Sequence, residues 1–201
     1  MQNVSKLFLV FAVVTVIFFV LSGVKPFDYL TWVLEVVPAV IGAVVMAYYW
    51  KRFRVTDLLF VLICIHCWIL FLGGHYTYAL TPPGFWVRDL FGLTRNHYDR
   101  LGHFAQGFVP AFLAREILLR NNIVKKGPWL QFIVVSICLG FSAFYELIEF
   151  SVAVILKSDS DAFLGTQGDV WDTQKDMLLA LIGSLTALCF SKWHDRAIAK
   201  V

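Results

Sequence analysis

The sequence predicts an all-α, polytopic membrane protein: a bundle of six transmembrane helices, with residues 1–201 forming a single transmembrane domain. Three observations predict it. Of 201 residues, 59% are hydrophobic and only 15% charged, against roughly 45–50% and 25% in an average soluble domain. Apolar runs recur that are long enough to cross a hydrocarbon core of about 30 Å. The basic residues crowd at alternate ends of those runs, as the positive-inside rule requires. Nineteen Phe and seven Trp suit a lipid-facing surface and its interfacial belts. The basic or polar tracts that nucleic-acid binding or disorder would need are missing.

The first span is 7–24, free of charge and preceded by Lys6, with no small-residue cleavage site after it. Pro26 breaks the chain. A second span at 29–50 carries Glu35 near its start and ends in Lys51, Arg52 and Arg54. The third, 57–74, opens at Asp57 and is expected to end at Gly73 and Gly74. Residues 75–100 mix Tyr76, Tyr78, Pro82, Pro83, Phe85 and Trp86 with Arg88, Asp89 and Arg95, a composition suited to the membrane interface. The fourth span is 101–119, the fifth 129–156 and the sixth 173–193, separated by the polar turn 121–127 and the Ser/Asp/Gly-rich loop 157–172.

With the N-terminus inside, the cytoplasmic side holds Lys6; Lys51, Arg52 and Arg54; Arg115, Arg120, Lys125 and Lys126; and Lys192, Arg196 and Lys200. That is eleven of the 17 basic residues, so both termini are expected in the cytoplasm. Among the acids, only Asp57, Glu116 and Asp195 fall on that side. The other eleven of 14 lie in outer loops or the outer halves of spans, joined by His75, His97 and His103. Cys64, Cys67, Cys138 and Cys189 all lie in apolar stretches and read as reduced, packed thiols rather than a disulfide framework or a zinc site.

The outer polar cluster carries the chemistry. In the fifth span Glu146 and Glu149 stand three residues apart on one helical face, with Ser142 a turn below Glu146. Two carboxylates among Phe and Leu must be neutralised. Asp169, Asp172 and Asp176 form one acidic stripe if the sixth helix starts near 169, although Asp169 also suits an N-cap. Asp99, His103 and Gln106 share a face of the fourth span, and His75 follows the third. Helical bundles build metal sites from such inward-facing ligands. The expected set is therefore His75, Asp99, His103, Glu146, Glu149, Asp172 and Asp176, holding a divalent zinc, manganese or iron ion, with Glu146 or Asp176 as general base. Arg88, Arg95 and Arg100 flank the acids and offer bidentate groups to a lipid phosphate or headgroup, or serve as solvated loop charges.

The strings NHYDRLGHF (96–104), FYELIEF (144–150) and GTQGDVWDTQKDM (165–177) resemble the YjdF family of bacterial inner-membrane proteins along nearly the whole chain. That resemblance implies a multi-pass protein of the inner membrane and no particular reaction. A weaker likeness to VanZ-like membrane proteins rests on Glu146, Glu149, Gly168, Asp169 and Asp172 and implies an envelope role. Three functions stay open. One is a metal-dependent hydrolase or transferase acting on a lipid or lipid-linked envelope substrate. The second is a small transporter, disfavoured because the cytoplasmic halves offer few polar groups beyond His66, Ser136 and Ser184. The third is a non-catalytic envelope or assembly protein whose polar cap satisfies its own helix ends.

Overall fold

In the computed structural model the described residues are 5–156 and 167–201, and all their regular structure is helical. The helices are α1 (Lys6–Ser22), α2 (Tyr29–Tyr49), α3 (Asp57–Tyr76), α4 (Pro82–Phe91), α5 (Tyr98–Arg120), α6 (Pro128–Leu156), α7 (Asp172–Cys189) and α8 (Ser191–Ile198), with a 3-10 turn at Tyr78–Leu80. Side chains cap three of the starts: Ser5 accepts from Phe8 N, Asp28 from Thr31 N and Thr56 from Leu59 N, each meeting an amide that the helix leaves without a partner.

α2, α3 and α6 are each long and apolar enough to cross a bilayer, and α7 with α8 qualifies as one bent span. α1 is apolar but only 17 residues long. α5 carries Asp99, Arg100 and His103 at one end and Arg115, Glu116 and Arg120 at the other. It needs no apolar surface of its own, because it lies inside the bundle, packed on α3, α6 and α7. Valines and isoleucine of α2 (Val33, Val37, Val40, Ile41) and aromatics of α6 (Phe141, Phe144, Phe150) remain exposed on the outside, an apolar surface of the kind that marks contact with lipid.

α5 and α7 cross at very short range. A Cβ at Gly107 would overlap the carbonyl of Ala180, and one at Gly183 the carbonyl of Phe104. Small residues at such a crossing let two backbones approach without a hydrophobic driving force between them. Below the crossing, Leu59, Phe60, Cys64, Phe112, Leu130, Val134 and Cys138 form the apolar core. All four cysteines are free thiols.

Three sequence expectations are corrected. Gly73 and Gly74 do not end α3, which runs on to Tyr76. They make room instead: a Cβ at Gly73 would enter the Tyr78 ring, and one at Gly74 would press on Glu35 Cβ at 3.1 Å. The last helical stretch is not one continuous helix over 173–193, because α7 stops at Cys189 and α8 leaves at 63°. Nor does α7 start near 169. It begins at Asp172, and Asp169 lies in the preceding turn, where its carboxylate accepts from Trp171 N at 3.1 Å. The acidic stripe is therefore Asp172 and Asp176 alone, one turn apart.

Candidate metal and ligand site

At the end of the bundle where α5 and α7 begin, their first two turns place three groups together. Asp99 and His103 are four residues apart on α5, and Asp176 faces them from α7. One ligand atom from each lies within 4.8 Å of the other two, and all three residues are buried. His103 Nε2 lies 3.5 Å from Asp99 Oδ1, and His103 Nδ1 is 3.1 Å from Gln106 Oε1 and 3.7 Å from Glu146 Oε1. Glu146 comes from α6 and is only 7% exposed.

Among the described residues, two carboxylate oxygens here, Asp176 Oδ1 and Glu146 Oε1, are buried without a hydrogen-bond partner, as is Ser142 Oγ one turn from Glu146. Buried polar atoms are paired in all but a few cases. An unpaired carboxylate oxygen is dearer still, since burial strips the charge of its hydration. The arrangement offers lone pairs that no donor among the described residues uses.

The other expected ligands lie outside this close group. Glu149, half-buried on α6, stands within electrostatic reach of His103 and Glu146. Asp172 gives one oxygen to Arg95 Nη1 at 2.9 Å while its Oδ2 stays unpartnered. His75 is turned elsewhere: its Nδ1 is 2.9 Å from the carbonyl of Ser22 at the end of α1, and its ring meets Tyr76 edge-on. Proximity in depth did not bring it inward, because the α1–α2 connection claims it through a further bond from Phe27 N to the His75 carbonyl at 2.8 Å.

The three arginines are engaged by acids. Arg88 pairs with its neighbour Asp89 on exposed α4. Arg95 bridges Asp172 and Asp169, and Arg100 reaches Asp169 at 3.3 Å. Lys175 also donates to Asp169 and, with Trp171 N, holds its carboxyl below the usual carboxylate range. His97 borders this knot, and burial, aided by the cations Arg100 and Arg95, holds its imidazole below its usual value. Gln167 ties the turn before α7 to the segment before α5: its Nε2 donates to the Asn96 carbonyl at 2.8 Å and its Oε1 accepts from Asn96 N at 3.2 Å. Lysine 157 and the rest of loop 157–166 lie outside the described residues.

Two elements that the spacing argument passed over complete the site. Glu35, on α2, is 3% exposed and faces the hydroxyls of Tyr78 and Tyr145 as well as Asp99 and His103. Tyr78 reaches it because buried Thr77 adopts φ 59° and ψ 147°, a backbone region costly for any residue with a Cβ. The sequence signal for Glu35 was a lone acid in an apolar run, which marks function by default. Nothing local marked Tyr78.

The structure thus defines a class: a helical, multi-pass membrane protein with a buried carboxylate and histidine centre at one end of its bundle. The chain belongs to the DUF2238 family, described as a predicted membrane protein, whose profile matches residues 7–196. It is similar to Inner membrane protein YjdF of Escherichia coli (strain K12), with 46% identity over 180 residues that cover 89% of this chain and 86% of that protein. No solved structure matches.

Proposed function

We propose that Asp99, His103 and Asp176 bind a divalent cation, and that the protein is a metal-dependent hydrolase or transferase of the inner membrane acting on a lipid or lipid-linked envelope substrate. The observation that carries the reading is the close buried trio together with the orphaned oxygens of Asp176 and Glu146. Mixed imidazole and carboxylate donors suit zinc, manganese or iron. Such a cation activates water or polarises a phosphoryl or acyl oxygen. With Asp176 in the close trio, Glu146 takes the role of general base, and Glu35 with its two tyrosines borders the same centre.

Six spans with both termini in the cytoplasm accompany this reading, since the basic residues named above gather where α1 and α3 begin and where α2 and α5 end. Localisation in the inner membrane rests on the printed name of the Escherichia coli relative. Elemental analysis of protein purified in mild detergent without metal-affinity resin tests the site. Near-stoichiometric metal is expected in wild type and its loss in Asp176→Asn and His103→Gln; equal metal content in all three sinks the proposal.

A second reading has its own observation. The His103 ring lies between Asp99 and Glu146 at 3.5 and 3.7 Å, so an imidazolium would neutralise part of the cluster without metal, in a non-catalytic envelope protein. That reading expects no metal in wild type and a melting temperature indifferent to chelator.

A further inference from the structure

The opposite end of the bundle holds a cavity that the metal reading leaves unused. Its volume is about 810 Å³, within the range of small-molecule sites. One wall is the segment Arg54 to Leu58, where the chain enters α3. The other is a single face of α8 and its continuation: Trp193, Arg196, Ala197 and Lys200 recur at i, i+3, i+4 and i+7.

α8 takes this position because its opposite face is tied down. His194 is fully buried, with Nε2 3.2 Å from Glu116 Oε2, while Arg115 and Lys126 hold Asp195. The helix therefore turns by 63° at Phe190 and lies across the bundle end instead of continuing α7. A half-turned amphipathic helix with an exposed Trp at the end of an apolar helix suits the membrane interface.

The side-chain charges that line the cavity do not balance: Arg54, Arg196 and Lys200 stand against Asp57. Asp57, its acidic member, is engaged by Arg54 at 3.0 Å, and Asp195 is engaged outside it. Arg196 and Lys200 are exposed, and neither forms an ion pair among the described residues. Beside these two cations the lining mixes polar Thr56 with apolar Val55, Leu58, Ala197, Val201 and the ring of Trp193. The complementary occupant is amphiphilic and anionic at one end.

We infer that the groove between Arg54–Leu58 and α8 binds the headgroup of an anionic phospholipid, with Arg196 and Lys200 on its phosphate and Trp193 beside its glycerol and upper acyl chain. Charge complementarity and the interfacial setting commit the site to a lipid rather than a free anion. Juxtamembrane basic clusters are the usual recognition element for such headgroups.

The test is thermal unfolding of the full chain, delipidated in mild detergent, titrated with phosphatidylglycerol, with phosphatidylcholine and with inorganic phosphate. Phosphatidylglycerol is expected to raise the melting temperature saturably, and the other two to leave it near its starting value. The apparent affinity is expected to fall about five-fold for each cation removed in Arg196→Gln and Lys200→Gln. Lys192→Gln, outside the cavity, is expected to keep it, and Arg196→Lys to restore most of it. Should Arg196→Gln fail to fold, Lys200→Gln, whose side chain is exposed, decides alone. Equal shifts with both lipids, a matching shift with inorganic phosphate, or a Lys200→Gln affinity equal to wild type overturns the inference.

Discussion

The molecule buries acids in two places, and the two are built on opposite principles. Where α5 ends, Glu116 is wholly buried, yet its carboxylate accepts from Thr56 N and Thr56 Oγ at 2.9 Å, from Arg120 at 2.7 Å and from His194 at 3.2 Å. Where α5 begins, Asp176 and Glu146 each keep an oxygen that no donor among the described residues meets. α5 runs from one site to the other, with Asp99 and His103 at its start and Glu116 near its end. A satisfied carboxylate fastens elements together, here the 54–56 segment, α5 and α8. An unsatisfied one is kept at a cost to stability, which a ligand that binds the folded state would offset.

The contrast is sharpened first at Glu116. Glu116→Ala leaves Arg120, His194 and Thr56 without their shared acceptor, and removing one partner of a buried ionic network costs about 3–5 kcal/mol. Thermal unfolding in detergent should show that loss with or without chelator. A loss below about 1 kcal/mol would break the comparison, since both regions would then tolerate missing partners.

The second largest effect concerns metal. If free metal stands at a hundred times its dissociation constant, binding adds about 2.7 kcal/mol to wild type, so chelation should lower its melting temperature and leave that of Asp176→Asn unchanged. In chelator the order should invert. Asp176→Asn removes an unpartnered buried charge and should then be the more stable by about 1–3 kcal/mol. A variant less stable than wild type under chelator would place Asp176 with Glu116 as a structural residue.

The smallest effect belongs to Asp195. Burial pushes its carboxyl up, but hydrogen bonds from Lys126 and Arg115 outweigh this and hold it below the usual range. A folded pKa below the unfolded one gives stability that is complete above the unfolded value and is lost as pH falls through the folded one. Asp195→Asn should therefore be less stable than wild type at pH 7 by at most about 1 kcal/mol, and the gap should close below about pH 4. A gap that persists at pH 3 would show that the pair does not act through its charge.

Much of the centre where α5 begins was legible in the chain, and the reason is local periodicity. Asp99 and His103 share a face because 3.6 residues make a turn, and the same rule joined Asp172 to Asp176 once α7 had begun. The same arithmetic could not place His75, since its partner Ser22 sits 53 residues away on another helix. It missed the Glu116 centre altogether. His194 reads as a residue of a polar tail until the 63° turn brings it back onto α5, and the scarcity of polar groups expected at that end was a misreading of the same tail. Arg95 and Arg100 looked like free cations because Asp169, some seventy positions on, is invisible to spacing.

What the sequence by itself determined is the helical membrane architecture, because hydropathy and helix period are properties of short stretches of chain. The tertiary structure alone decided which acids have partners. That depends on how far each helix is rotated and on which neighbours approach, and it is set by the Gly107 and Gly183 crossing of α5 on α7, by the room at Gly73 and Gly74 for Tyr78 and Glu35, and by the bend that returns α8 to Glu116.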